Sequence, residues 1–241
     1  MFVFLELFSY NNFMHKGELS RIGKGTILAD IILGGQDGLV NVLGVILGIA
    51  VASEDIKIII AGGMAATFAE SISMAAVALT SKLTERDHYI AELEREKREI
   101  EEMPDKEEDE IMQAYKKKGF SGKILDDIVV HIKSDKTMWV NEMMKEELNL
   151  VKVSNREIYG GSTIVLVSAL VGSFIPLVPF FFFSISASII WSLVLSAFTL
   201  LLVGIYKAKT TIGHPVKSGI QMVLIGMGAA LAGYLIGLIF S

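Results

Sequence analysis

The sequence predicts an all-α, polytopic membrane protein with five transmembrane helices and a helical lobe inserted between the second and the third. Two observations lead to this prediction. The 241 residues are 52% hydrophobic and 20% charged, with a mean hydropathy of +0.53. The charges are also unevenly placed, because residues 82–157 contain 20 of the 27 acidic and 15 of the 22 basic residues. A polar segment between apolar flanks excludes a soluble enzyme with one large core.

The chain divides into four segments. Residues 1–25 are apolar but contain Glu6 and lack a basic start, so we interpret them as a cytoplasmic or interfacial lead-in and not as a cleaved signal peptide. Residues 26–81 supply transmembrane helices one and two, residues 82–155 form the lobe, and residues 156–241 supply transmembrane helices three to five.

Each predicted span is a stretch of low charge that is long enough to cross a bilayer, for which about 20 apolar residues suffice. No charge falls between Glu157 and Lys207, and Pro176 and Pro179 lie near the middle of that stretch. This stretch therefore predicts two helices joined by a tight turn. The five predicted spans are residues 27–51, 57–81, 157–178, 181–206 and 217–240.

Basic residues orient the spans, because cytoplasmic loops are enriched in Lys and Arg. The first outer loop has only Lys57, beside two acids, and the turn with the two prolines has no basic residue. We therefore expect the N-terminus and the lobe in the cytoplasm and the C-terminus on the opposite side. The residues that mark the cytoplasmic side are Lys16, Arg21, Lys24, Lys207, Lys209 and Lys217.

The composition excludes several classes of function. The chain has no cysteine, which excludes disulfides, thiolate metal sites and cysteine nucleophiles. The net charge of −5 disfavours a nucleic-acid partner. There is no phosphate-binding loop, so ATP-driven pumping is not expected and any transport should use an ion gradient.

The lobe is predicted to contain four helices. Residues 84–103 have strong helix formers and continue span two, and Pro104 ends this helix and begins a second one that Gly119 stops. Residues 121–134 and residues 136–150 form the third and fourth helices. With about 75 residues, such a lobe has a marginal core.

A first candidate site is a set of glutamates in the lobe. Glu96 and Glu99 are three residues apart, and Glu107 and Glu110 repeat this spacing after Pro104, so each pair shares a helix face. If the two helices fold against each other, four carboxylates meet, and a divalent cation such as Fe²⁺ or Mn²⁺ would neutralise their repulsion. The alternative is a solvated acidic face, which is the more common meaning of a run of charges.

The fourth helix of the lobe adds Met143 and Glu147, and a thioether beside carboxylates shifts the preference toward softer transition metals. Glu85 and His88 have the Glu-x-x-His spacing of carboxylate-bridged di-iron bundles. Those bundles need two copies and this chain has one, so a structural role for this pair is favoured.

A second candidate site lies inside the predicted spans. Asp37 is well inside span one and Glu70 is near the middle of span two. An ionised acid at mid-bilayer costs about 2.5–3.5 kcal/mol even on the lowest scales, so such acids normally face a polar cavity, bind a cation or carry protons. Asp30, seven residues before Asp37, fits either this path or an interfacial position. Met74 lies one turn after Glu70, and packing against lipid or the protein core is the simpler explanation for a methionine there.

Glycine pairs recur at a spacing of four in the apolar segments. Such pairs let helix backbones approach closely in lipid, so self-association through one of these faces and the simple abundance of glycine in membrane helices are equally good interpretations. The pairs are Gly34/Gly38, Gly44/Gly48 and Gly233/Gly237.

Four stretches, in the same order along the chain, resemble the vacuolar iron transporters. The first span of that family resembles ADIILGGQDGLVNVLGVILGIA, and the Ser-Met motif of its second span resembles SISMA. The opening of its cytoplasmic metal-binding domain resembles DHY followed by ELEREKREIEEMPDKEEDEI, and a later helix of that domain resembles MWVNEMMKEEL. Each motif is weak alone, but four in order with five spans are specific, and together they cover nearly the whole chain after about residue 20.

The resemblance implies a homodimer in a vacuolar or plasma membrane, without a prosthetic group. It would move Fe²⁺, with Mn²⁺ and other divalent metals as further substrates, out of the cytoplasm in exchange for protons. Asp37 and Met74 match the metal pathway in the membrane, and Asp30 matches an acid near its cytoplasmic entrance. The residues that match metal ligands of the cytoplasmic domain are Glu96, Glu99, Glu107, Glu110, Met143 and Glu147.

The chain departs from the family pattern in span two. Family members carry an acid one turn before the position of Glu70, where this chain has Ala66. Either Glu70 substitutes for that acid from the next turn, or the pathway differs there.

Two other functions would use the same residues. A membrane-anchored metal store or ferroxidase would need the lobe glutamates and redox turnover. The single copy of Glu-x-x-His argues against this function. A receptor or scaffold whose lobe binds a protein would leave the acids inside the membrane without a role.

Overall fold

The computed structural model describes residues 2–240, and it describes the side chains of residues 27–240. Within this part the chain is all helical and contains no strand. The predicted N-terminal segment, residues 1–25, lies outside the residues whose side chains are described. In chain order the helices are α1 (Phe2–Ala52), α2 (Ile56–Glu102), α3 (Pro104–Lys117), α4 (Lys123–Lys133), α5 (Lys136–Glu142), α6 (Asn155–Leu177), α7 (Ile185–Thr210) and α8 (Pro215–Ile239).

Among the residues that the structure describes, five helices are long and apolar enough to cross a membrane, in agreement with the number of spans predicted from the sequence. They are Ile27–Ala52 within α1, Ile56–Glu102, Asn155–Phe181, Ile185–Thr210 and Pro215–Ile239. The second of these is α2, which runs without a break from the apolar segment into the acidic one, as predicted.

Local sequence explains where several helices begin and end. The backbone N–H of Lys57 donates to the Asp55 carboxylate at 2.8 Å, which caps the start of α2. Pro104 occupies the first turn of α3, where its missing N–H costs nothing. Gly119, with φ of +96°, follows the end of α3 in the left-handed region that glycine adopts without strain. The boundaries predicted at Pro104 and Gly119 are therefore confirmed.

The predicted fourth helix of the lobe ends earlier than expected. α5 stops at Glu142 and is followed by a π-helical turn, Met143–Glu147. The hydroxyl of Tyr115 donates to Glu142 at 2.8 Å, and Lys118 forms an ion pair with Glu146. These contacts hold the wider turn against the end of α3. π-helical turns are frequent at functional sites.

The chain separates into two compact units. One comprises Met1–Leu79 and Tyr159–Ser241 and contains the apolar helices; the other comprises Thr80–Ile158 and is called the lobe below. The core of the lobe is an apolar cluster that includes Ile111, Val129 and Trp139, contributed by α3, α4 and α5.

Close contacts at glycine hold the apolar unit together. A Cβ atom added to Gly38 would lie 2.5 Å from the carbonyl oxygen of Ala169 in α6, and one added to Gly233 in α8 would lie 2.1 Å from that of Gly44 in α1. Gly34 and Gly48 make similar approaches to α6 and α8. The glycine pairs thus pack helix against helix inside one chain. This packing explains the spacing of the glycine pairs within one chain.

The turn between α6 and α7 contains the two prolines. Val178–Phe181 form a short 3-10 helix, and two buried serines of α7 donate to the carbonyl oxygens of the two prolines. The hydroxyl of Ser192 donates to the carbonyl of Pro176 at 2.6 Å, and that of Ser188 to the carbonyl of Pro179 at 3.0 Å.

Candidate metal sites

Three helical segments of the lobe bring three of the predicted glutamates together. Glu96 lies near the end of α2, Glu107 in the first turn of α3, and Glu147 at the end of the π-helical turn. One carboxylate oxygen from each lies within 4.8 Å of the other two. We call these residues the lobe trio. A transition metal with oxygen bonds of about 2.1 Å spans about 4.2 Å between opposite ligands, so a small contraction would let the trio hold one ion.

The buried oxygens of the lobe trio point to a cation. Glu96 is 1% exposed and Glu107 is fully buried, while Glu147 is exposed. The Oε2 atoms of Glu96 and Glu107 have no hydrogen-bond partner among the described residues. Buried polar atoms in native proteins are nearly always paired, and a bound cation would satisfy both oxygens.

The environment of the lobe trio favours the protonated carboxyl groups when no metal is bound. Burial raises the pKa of Glu96 to about 7, and the charges of Glu107 and Glu147 add to this effect. Burial also raises the pKa of Glu107, with the charge of Glu110 as the next cause. Partial desolvation of its carboxylate raises the pKa of Glu147, and the charges of Glu110 and Glu107 add to this effect. Protons therefore compete with metal at the lobe trio near neutral pH.

Two further predicted ligands lie beside the lobe trio but do not belong to it. Glu99 and Glu110 contact Lys106, whose Nζ atom lies 3.9 Å from Glu99 Oε2 and 3.1 Å from Glu110 Oε1. The sixth predicted ligand, Met143, is fully buried in the apolar core of the lobe, one turn before Glu147.

Two basic residues at the lobe trio are not among the residues predicted for the site. Lys106 Nζ also lies 3.3 Å from Glu107 Oε1, and Arg95 Nη2 lies 3.1 Å from Glu96 Oε1. The sequence contained a signal for Lys106, because Glu110 follows it at the i,i+4 spacing of a helical ion pair.

A second group of acids lies inside the apolar unit. Asp37 of α1 and Glu70 of α2 have side chains within hydrogen-bonding reach of each other, and the amide of Asn41 donates a hydrogen bond to Glu70. We call Asp37 and Glu70 the membrane pair. Two carboxylates this close repel each other unless they share a proton or a cation. Asn41 was missed, although it lies one helical turn after Asp37.

The other two predicted pathway residues do not join the membrane pair. Asp30 lies about two turns away along α1, and a Cβ atom added to Gly161 in α6 would lie 3.0 Å from its Oδ2 atom. Met74 is half-buried on α2, one turn beyond Glu70.

Glu85 and His88 lie on the exposed surface of α2 beside oppositely charged or titratable neighbours. Glu85 pairs with Lys82 at 2.8 Å, and His88 lies 4.0 Å from Glu92. Neither residue belongs to a group of potential metal ligands among the side chains of residues 27–240.

Comparison with known sequences relates the chain to one family. The sequence model described as the VIT family matches residues 28–238. A protein named vacuolar iron transporter 1 from Tulipa gesneriana is 30% identical over 227 residues, which cover 94% of this chain and 92% of the relative. The vacuolar iron transporter of Centaurea cyanus is 31% identical, covering 87% and 86%. That of Plasmodium falciparum (isolate 3D7) is 28% identical, covering 96% and 88%.

Proposed function

The chain belongs to the VIT family, and from this premise we propose that it is a secondary transporter that exports Fe²⁺ from the cytoplasm in exchange for protons. Relatives along almost the whole length of the chain carry the name vacuolar iron transporter. Mn²⁺ and other divalent transition metals are further substrates in this proposal, because carboxylate ligands discriminate poorly between them.

The observation that supports exchange best is the membrane pair. Asp37 and Glu70 face each other inside spans that contain no lysine or arginine between Lys24 and Lys57 or between Lys57 and Lys82. In an apolar environment such a pair must carry a proton or a cation. Alternate occupancy by metal and protons would couple their movements, because protonation from the far side weakens the hold on the metal.

The lobe trio is the proposed capture site. Its orphaned oxygens and closely spaced carboxylates suit a divalent cation. The basic residues of the sequence favour a cytoplasmic lobe and N-terminus and a C-terminus on the opposite side. In this arrangement the lobe collects Fe²⁺ on the side from which the metal is exported. The working unit in this proposal is a homodimer in the lipid membrane, with the membrane pair and Met74 supplying the transmembrane site.

Uptake by proteoliposomes tests the proposal. Purified protein is reconstituted, and entry of Fe²⁺, Mn²⁺, Co²⁺ and Mg²⁺ is followed with and without an acidic interior. We expect Fe²⁺ to accumulate only when the pH gradient is present, and the interior to become more alkaline as it does. Metal entry that is indifferent to the gradient would contradict proton exchange.

A metal store or ferroxidase is the alternative that the lobe trio would also suit. Such a protein would consume oxygen when Fe²⁺ is added and would move no metal across a sealed vesicle. Oxygen consumption by the purified protein, measured beside uptake, separates the two functions.

A further inference from the structure

A lysine lies among the glutamates of the lobe. Lys106 Nζ is 3.1 Å from Glu110 Oε1, 3.3 Å from Glu107 Oε1 and 3.9 Å from Glu99 Oε2. In the other ion pairs described for the lobe, each lysine contacts a single carboxylate; an example is Lys136, which lies 3.3 Å from Glu101. Lys106 is therefore placed as a counter-ion of a group and not of one partner.

The two oxygens of Glu107 are used differently. Oε1 contacts the ammonium of Lys106, whereas the buried Oε2 has no hydrogen-bond partner. Glu107 contributes one oxygen to the lobe trio. A divalent ion held there would lie only a few ångströms from the ammonium group, and like charges at that distance repel strongly in a partly buried site.

Lys106 is free to yield to such an ion. Its side chain is 52% exposed, so the ammonium can move into water when a metal arrives. Arg95 differs, because its Nη2 atom lies 3.1 Å from Glu96 and also 2.9 Å from Glu92, a carboxylate outside the site. Glu92 lies outside the predicted set of ligands and anchors this guanidinium.

We propose that Lys106 is a tethered counter-cation of the lobe metal site, which occupies the glutamates in the metal-free protein and is displaced when a divalent cation binds. This inference rests on the proposed function of the lobe. Every incoming cation must replace the same ammonium group, so Lys106 sets the minimum affinity that a cation needs. Mg²⁺, which gives up its water ligands reluctantly, is excluded first, and transition metals with stronger affinity are retained.

Binding of Mn²⁺ to the full-length protein in detergent tests the proposal, with calorimetry at pH 7.5 as the measurement. Lys106→Met removes the ammonium and keeps the length of the side chain. We expect this variant to bind Mn²⁺ about three- to tenfold more tightly than the wild type, the range expected for releasing a few partly exposed ion pairs. Mg²⁺, titrated alone, should also bind this variant more tightly and by a similar factor, because both cations displace the same ammonium group.

Two variants serve as controls. Lys136→Met removes a lysine whose ion pair with Glu101 is as long as that of Lys106 with Glu107, 3.3 Å, but Glu101 is not part of the site. This variant should bind Mn²⁺ as the wild type does. Lys106→Arg keeps the charge and should remain within about twofold of the wild type. If Lys106→Met unfolds, Lys106→Gln provides the same test, with thermal unfolding as the check.

The outcomes separate this inference from the function on which it rests. Unchanged or weaker Mn²⁺ binding by folded Lys106→Met, with normal binding by the wild type, would overturn the role of Lys106 and leave the capture site intact. A lower melting temperature without tighter binding would mean that Lys106 is a structural ion pair. Absence of Mn²⁺ binding by the wild type would overturn the proposed capture site and this inference with it.

Discussion

The lobe and the apolar unit both bring carboxylates together, but they compensate the charge by different means. In the lobe, Lys106 and Arg95 contact the glutamates, and water reaches one side of the group. In the apolar unit, Glu70 has a neutral amide, Asn41, and a second acid, Asp37, as its neighbours. The lobe can therefore offset part of the charge of its acids with basic side chains and water, whereas the membrane pair needs a proton or a cation.

The largest effect should come from neutralising the membrane pair. In Asp37→Asn, a neutral amide replaces the carboxylate that would exchange metal for protons, so we expect Fe²⁺ uptake driven by a pH gradient to fall to the level of empty vesicles. Lobe affinity for Mn²⁺ should be unchanged in the same variant, because the lobe glutamates are untouched.

Glu54→Gln is the matched control for this substitution. Glu54 is an exposed acid in the turn after α1, and its removal changes the charge equally without entering a span. Normal pH-driven uptake by Asp37→Asn would show that the membrane pair does not exchange metal for protons. The different compensation of charge in the two units would then have no role in transport.

The next largest effect should come from the lobe trio. Glu107→Gln removes one charged ligand, and losing an interaction with a charged group costs about 1.5–3 kcal/mol. We expect Mn²⁺ affinity measured by calorimetry to fall about 10- to 100-fold. Glu102→Gln, an exposed acid at the end of α2, should bind metal normally. Equal affinities in the two variants would remove Glu107 from the site.

A pH titration sharpens the comparison, because protons compete at the lobe trio. Burial raises the pKa of Glu96 to about 7, so a metal that binds at pH 6 must displace a proton that is absent at pH 8. For this one group, Mn²⁺ affinity should fall about tenfold between pH 8 and pH 6. The measurement is calorimetry in two buffers of different ionisation enthalpy, which also counts the protons released. Affinity that does not change over this range would contradict ionisation of Glu96 on metal binding.

The same pKa predicts the pH dependence of stability without metal. The pKa of Glu96 is raised from its ordinary 4.5, so the folded protein binds this proton more tightly than the unfolded chain. Glu96 thus stabilises the fold fully below about pH 4.5, and this contribution is lost as the pH rises to 7. Between pH 5 and pH 8, the melting temperature of the metal-free wild type should fall relative to that of Glu96→Gln. Saturating Mn²⁺ should restore the melting temperature of the wild type.

Much of the fold could be predicted from the sequence because its causes are local. Stretches without charge predicted five long apolar helices, and Pro104 and Gly119 marked the ends of α2 and α3 through their own backbone preferences. The π-helical turn after α5 could not be predicted in this way. It is held by contacts of Tyr115 and Lys118 with residues 25 or more positions later in the chain.

The candidate sites were also predictable only in part, because they depend on contacts between residues that are distant in the chain. Helical spacing predicted that Glu96 and Glu107 converge across Pro104, and they do. The i,i+4 spacing indicated the pair of Lys106 with Glu110, but it could not show that Glu99, on the preceding helix, would also contact Lys106. The glycine pairs indicated close packing, but which helix each pair meets depends on the tertiary arrangement of α1, α6 and α8.

The smallest expected effect concerns Asn41, a neutral partner of the membrane pair. Asn41→Leu removes the amide that donates to Glu70 and leaves the two carboxylates facing each other alone. A neutral donor contributes about 0.5–1.5 kcal/mol, less than a charged ligand, so Fe²⁺ uptake should slow about threefold and not cease. Gln36→Leu makes the same change from amide to leucine on α1, five residues earlier, and should transport normally. If Asn41→Leu abolished uptake as completely as Asp37→Asn, the amide would be a metal ligand in its own right. If it had no effect, the hydrogen bond from Asn41 to Glu70 would not contribute to transport.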